Sequence, residues 1–203
     1  LYTYLANKIQ GVFKHTQAYK TGFCNLMTIV NGNSEPQTMT VCITKNTLEA
    51  NSQWLERMYN DLEERFPDKD LEKLILLIAS RDTLKGKATH CKNFKSAWFE
   101  LSKENNFKVV FICSHKTRIT DITDLCERYN DLNKALRKNL RILHDEAHNS
   151  KEGIPAYRHI IEYILCQENV LSYHPITASN NPIHDDNNPL WNKKNLENNA
   201  IDY

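Results

Sequence analysis

The sequence predicts an α/β fold, a mainly parallel sheet with helices on both faces, and three observations predict it. Five short apolar runs, at 38–44, 74–79, 108–113, 140–144 and 170–176, have the length and composition of strands. Helical stretches of ten or more residues separate most of them, and that alternation calls for parallel pairing through crossovers. The run Leu74–Ala79 (LILLIA) is apolar at every position, as a strand covered on both faces must be.

Taken in order, residues 1–14 place Leu5, Ile9, Val12 and Phe13 at roughly helical spacing, so a helix is expected to lead into the core. His15–Gly22 is a polar loop, and Phe23–Val30 follows as a helix. After the turn NGNSEPQ comes the buried strand Thr38–Thr44, then a helix over Leu48–Phe66 for which Thr47 is a natural N-cap. Pro67–Lys73 is a charged connection to the strand 74–79. The lysine-rich stretch Lys85–Lys95 reads as a solvated loop. Phe94, Ala97, Trp98 and Leu101 then define a helix in which Trp98 is a core anchor. Lys108–Cys113 is a strand, and Asp121–Lys138 an amphipathic helix carrying Leu125, Tyr129, Leu132 and Leu136. The strand at 140–144, a helix over Ala156–Cys166 and the strand Val170–Ile176 complete the core, expected to occupy residues 1–180. Residues 181–203, Asn-rich with Pro182 and Pro189, read as a linker or extended arm.

Composition narrows the class. At 203 residues the chain can bury one sizeable core, and its formal net charge of +1 confines any nucleic-acid contact to local patches. Six cysteines occur with no CxxC pair, and Cys42 and Cys113 fall inside apolar runs. This favours reduced thiols in an intracellular setting, cytoplasm or nucleus, over a disulfide framework. His144 and His148 are four apart but not on one helical face, and His90-Cys91 lacks partner spacing, so a zinc site is not expected. No apolar run has the ~20 residues that span a bilayer. A chain beginning Leu1-Tyr2-Thr3 is expected to be a fragment, a processed product or the ordered part of something longer.

The chemistry concentrates at strand ends. Asp145-Glu146-Ala147-His148 closes the strand at 140–144. A carboxylate there suits Mg²⁺, which prefers oxygen ligands and keeps several waters, and a second can orient the water that attacks a γ-phosphate. Lys20-Thr21 stands where a phosphate loop ends its GxxxxGK[ST] run, although Tyr19 occupies the last glycine position and no glycine lies between His15 and Tyr19. Thr44, Lys45 and Asn46 follow one strand, and Ser114, Lys116, Thr117 and Arg118 another. Both sets are donors placed where open α/β sheets bind ligands. Thr177-Ala178-Ser179 closes the last strand.

These motifs, in this order, resemble the first RecA-like domain of a superfamily two helicase or translocase of DEAH type. The resemblance is most specific at DEAH and Thr177-Ala178-Ser179, and it covers about residues 5–180. It implies ATP and Mg²⁺ as cofactors. Lys20 and Thr21 would lie on phosphate and metal, Asp145 on Mg²⁺, Glu146 on the attacking water, and His148 would report nucleotide state. Thr44, Lys45, Asn46, Ser114, Lys116, Thr117 and Arg118 would face DNA or RNA, with Thr177 and Ser179 coupling the two sites. It further implies a second RecA-like domain, in a longer chain or a partner, that supplies an arginine finger. The alternative is a helicase-derived domain whose phosphate loop has decayed and which serves binding or assembly. The Asn- and Lys-rich, Gly-poor composition is similar to that of proteins from AT-rich genomes, large DNA viruses among them, which extends the expected settings to a virion.

Overall fold

A computed structural model of the chain describes residues 8, 12–13, 22, 25–28, 37–45, 47–67, 70–82, 86–103, 107–132, 137–145, 147 and 163–177. Seven strands form one sheet: β1 (Val12–Phe13), β2 (Thr38–Thr44), β3 (Ile75–Ile78), β4 (Thr89–Cys91), β5 (Val109–Cys113), β6 (Asn139–Asp145) and β7 (Val170–Thr177). Their order across the sheet is β1-β7-β6-β2-β5-β3-β4, and every pairing is parallel. Three longer helices are described: α1 (Leu48–Arg65), α2 (Phe94–Lys103) and α3 (Lys116–Asn130).

β2 is buried at all seven positions because both of its faces are covered. Alternate strand residues feed two cores. On one face Val41, Ile112 and Ile142 pack with Ala97 and Leu101 of α2 and with Ile119, Ile122 and Leu125 of α3. On the other Leu77, Phe111 and Leu143 pack with Trp54, Leu55, Met58 and Leu62 of α1. Trp54 meets Phe111 edge-on at 5.6 Å, and on the opposite face Trp98 meets Tyr129 edge-on at 5.3 Å, so Trp98 is the anchor its spacing suggests. Residues 25–28 are helical and are tied to α1. The Trp54 indole N–H donates to Asn25 Oδ1 at 3.0 Å, and the Asn25 amide donates to Asp61. No helix among the described residues is long and apolar enough to cross a membrane.

Four expectations are corrected. Val12–Phe13 is a strand rather than the end of a helix. Val12 pairs with Ile176, and the Tyr173 N–H donates to Lys8 O at 2.7 Å. A few apolar residues at mixed spacing do not distinguish the two states, and pairing with β7 decides. Within the lysine-rich stretch, Thr89–Cys91 forms the edge strand β4, held on β3 from Leu76↔Thr89 to Ile78↔Cys91. The sheet therefore has seven strands where five were legible. Finally, α3 begins at Lys116, not Asp121, and its helical run ends at Asn130. His115 takes an extended backbone and its Nδ1 accepts from the Thr117 N–H at 3.3 Å, a cap the apolar pattern alone cannot reveal.

Candidate functional site

The strand order contains a reversal between β2 and β6. From β2 the chain moves outward to β3 with α1 on one face. From β5 it returns to β6 with α3 on the other, and β7 then continues in the opposite direction. Loops that leave neighbouring strands toward opposite faces open a crevice at the strands' C-terminal ends, where open α/β sheets bind ligands. Asp145 is the last residue of β6, half-buried at that crevice. Its register partner on β7 is Ile176, which also pairs with Val12 on β1. The C-terminal end of β1 at Phe13 therefore lies at the same sheet edge as Asp145, with β7 between them. Lys20, Thr21, Asn46, Glu146, His148 and Ser179 lie outside the described residues, as do residues 181–203. The Lys116 and Thr177 backbones are placed at the start of α3 and the end of β7.

Beneath Asp145 the strand is tightly held. His144 is fully buried, and its Nδ1 lies 2.8 Å from the Tyr173 hydroxyl. Burial drives the His144 imidazole down to about 3, so it is neutral at physiological pH. Ala147, in the DEAH tetrapeptide, is also fully buried. On the neighbouring strand burial pushes the Cys42 thiol up, partly opposed by a hydrogen bond with Thr28, making it an inert core group.

A second feature lies at the same edge, on the other side of β2. A cleft of ≈ 270 Å³ is lined by Thr47, Asn51, Ala79, Ser80, Cys113, His115 and Arg118. It sits between the starts of α1 and α3. Thr47 caps α1, its hydroxyl accepting from the Ala50 N–H at 3.2 Å, and His115 caps α3. Arg118 is fixed on the wall by Asp121 at 3.1 Å and by the Lys92 carbonyl at 2.8 Å. Burial raises the Asp121 carboxyl above its ordinary range, opposed by the guanidinium beside it.

The expected nucleic-acid donors divide accordingly. Lys45 and Thr117 are exposed, and Arg118 lines the cleft. Ser114, half-buried, donates its backbone N–H to Thr44 O at 2.8 Å. Thr44 is a correction. It is 1% exposed, and its hydroxyl donates to Lys45 O at 3.2 Å and Ile112 O at 3.5 Å, so it shapes the loop and offers no donor to a ligand. Lys116, Thr117 and Arg118 belong to the first turn of α3 and not to a loop. Sequence reading passed over Thr47's neighbour one turn on, Asn51, and the cleft floor at Ala79, Ser80 and Cys113. A signal for Asn51 did exist: it precedes Leu55, Met58 and Leu62 on the buried stripe of α1, where a polar residue is out of place.

Among solved structures, the chain is similar to a nuclease-deletion mutant of the Type ISP restriction-modification enzyme LlaGI in complex with a DNA substrate mimic. The TM-score is 0.53 at 15% identity, covering 84% of this chain and 15% of that one. The chain thus spans about 15% of the length of that neighbour, and the likeness is one of fold. No family model matches the sequence, and no curated protein matches it. The parallel sheet, its helices on both faces and this neighbour together give the chain an α/β fold of RecA-like type.

Proposed function

We propose that the chain is the ATP-binding half of a nucleic-acid motor, a helicase or translocase that moves on DNA or RNA. The observation that carries this is the register row Val12–Ile176–Asp145, which brings the strand preceding Lys20-Thr21 and the strand ending in DEAH to one sheet edge. The donor set fits the cofactor: Asp145 offers hard carboxylate oxygen at the strand terminus, the ligand type Mg²⁺ takes. Bound ATP would supply the phosphoryl group, with Mg²⁺ neutralising charge between its phosphates. Lys20 and Thr21 would hold the phosphate and metal side, Asp145 would fix the metal's water shell, and Glu146 would orient and deprotonate the attacking water. His148, Thr177 and Ser179 would couple that state to the strand-facing loops. Lys45, Lys116, Thr117 and Arg118 would meet the nucleic-acid backbone, and the nucleic acid seen with the structural neighbour supports such a partner. A second RecA-like domain would complete the ATP site. Without its arginine finger, worth roughly 10³–10⁵ in rate in related systems, this chain alone should turn over negligibly.

A second reading rests on one observation. Tyr19 and the absence of glycine from His15 to Tyr19 disfavour the usual phosphate-wrapping turn, because a bulky residue resists positive φ. In that reading the domain serves binding or assembly. Titration with a fluorescent ATP analogue separates the two. The motor reading expects binding that Mg²⁺ strengthens, with the Mg²⁺ effect lost in Asp145→Ala, and turnover restored by the second domain and abolished by Glu146→Gln. Absence of nucleotide binding establishes the second reading. Brisk hydrolysis by the chain alone, unchanged by Glu146→Gln, refutes both.

A further inference from the structure

We propose that Asn51 is a specificity residue that reads the 2′-hydroxyl of a sugar-phosphate unit seated in the cleft between the starts of α1 and α3. The proposal rests on the nucleic-acid reading above and adds to it a preference for RNA over DNA. Two observations carry it independently. The cleft suits an anion: it lies between the N-termini of helices of 18 and 15 residues, with the Arg118 guanidinium on its wall and no carboxylate among its described lining residues. Helix N-termini present free N–H groups and partial positive charge to a phosphate. Arg118 uses one donor on Asp121, which also pairs its charge, and one on the Lys92 carbonyl, and a guanidinium has five, so N–H donors remain available to an anion.

The second observation is Asn51 itself. It lines the cleft and is 1% exposed, yet neither its Nδ2 nor its Oδ1 has a hydrogen-bond partner among the described residues. A buried amide left this way needs one acceptor and one donor at the same time. Phosphate oxygens only accept, so a phosphate can satisfy Nδ2 and leaves Oδ1 bare. A hydroxyl both donates and accepts, and the 2′-hydroxyl is the group by which a protein tells ribose from deoxyribose. At ≈ 270 Å³ the cleft lies just under the usual range for a whole small-molecule ligand and suits one sugar-phosphate unit of a longer strand. Binding deoxyribose would leave a buried acceptor unpaired, at a cost of roughly tenfold in affinity.

The test compares a dodecameric oligouridylate with the deoxy oligomer of the same sequence at equal salt, on the full chain. The expected result is about tenfold tighter binding of the ribo-oligomer. Asn51→Leu, similar in shape and compatible with the neighbouring Trp54 and Leu55, should abolish the discrimination, bringing the two oligomers to within about twofold of each other. Cys113, on the cleft wall, reports location: the ribo-oligomer should slow its alkylation, read by peptide mass. Equal affinity of the parent for the two oligomers overturns the 2′-hydroxyl assignment and leaves the nucleic-acid reading standing. An equal loss for both oligomers in Asn51→Leu, or no protection of Cys113, overturns the role of this cleft. Protection of Cys113 by ribose 5-phosphate as good as that by the oligomer makes the ligand a free sugar phosphate, and overturns the strand as its source. If neither oligomer binds at low salt, the nucleic-acid reading falls and this assignment with it. The parent comparison needs no variant, so a misfolded Asn51→Leu would not decide the outcome.

Discussion

Acidification should loosen the sheet directly beneath the candidate site, through His144. In the folded chain burial holds this imidazole at about 3, whereas an unfolded histidine titrates near 6.5. As pH falls below ~6.5 the unfolded state takes up a proton that the folded state refuses. Stability therefore rises with pH through that window and falls as pH is lowered, with the full penalty reached only near 3. Between about pH 7.5 and about pH 5 the linkage amounts to ~2 kcal/mol, a large share of a domain stability of roughly 5–15 kcal/mol. The charge would enter the apolar face that holds Ile142 and Tyr173, while Asp145, next along the strand, projects to the other face. Urea denaturation at the two pH values measures the effect. His144→Asn provides the control, since an amide near the Nδ1 position can still meet the Tyr173 hydroxyl but does not titrate. The variant should lose ~2 kcal/mol less than the parent on acidification. If both lose the same stability, His144 is not the acid-sensitive group and the reasoning fails.

Three further outcomes follow from the packing. Asn25→Ala should destabilise by ~1–3 kcal/mol in chemical denaturation, because the buried Trp54 N–H loses its acceptor and Asp61 its donor. A loss no larger than that of Leu26→Ala, an exposed neighbour expected within about 0.5 kcal/mol, would count against the tie. Thr47→Ala should cost ~1 kcal/mol by uncapping α1, with Thr47→Ser nearly neutral; equal losses in the two would reject the cap. Ile142→Ala, at a fully buried position on β6, should cost ~2–5 kcal/mol, seen as a lower denaturation midpoint at unchanged slope.

The legible part of the fold was the part whose identity is local. β2, β3 and β5 carry apolar runs because both sheet faces are covered, and such runs announce themselves, while β6 and β7 keep enough apolar positions among polar ones to be read as strands. β1 and β4 have two and three described residues, and they are strands because β7 and β3 offer partners, which no window of sequence contains. The early start of α3 was hidden for a related reason: His115 caps through its imidazole, a less familiar device than the Thr47 hydroxyl. At the candidate site, Asp145 was legible because a charged residue ending a buried strand is costly without a purpose. Asn51 was only half legible: its place on the buried stripe of α1 marks it as unusual, but only the three-dimensional cleft shows that both ends of its amide lack partners among the described residues.

The pairing of β1 with β7 also sets a timetable for synthesis. Val12 meets Ile176, its partner 164 positions later in the chain, and Lys8 accepts from Tyr173. At ~5–20 residues per second the first strand emerges roughly 8–30 s before its partner exists. Until then the nascent chain can assemble a sheet from β2 outward while its leading segment trails unpaired, a template open to a neighbouring polysome product. β1 docks only when β7 arrives, so the sheet edge at which it ends is completed long after the strand itself has been made. A chain stalled before Val170 would hold most of a core with β1 still unpaired.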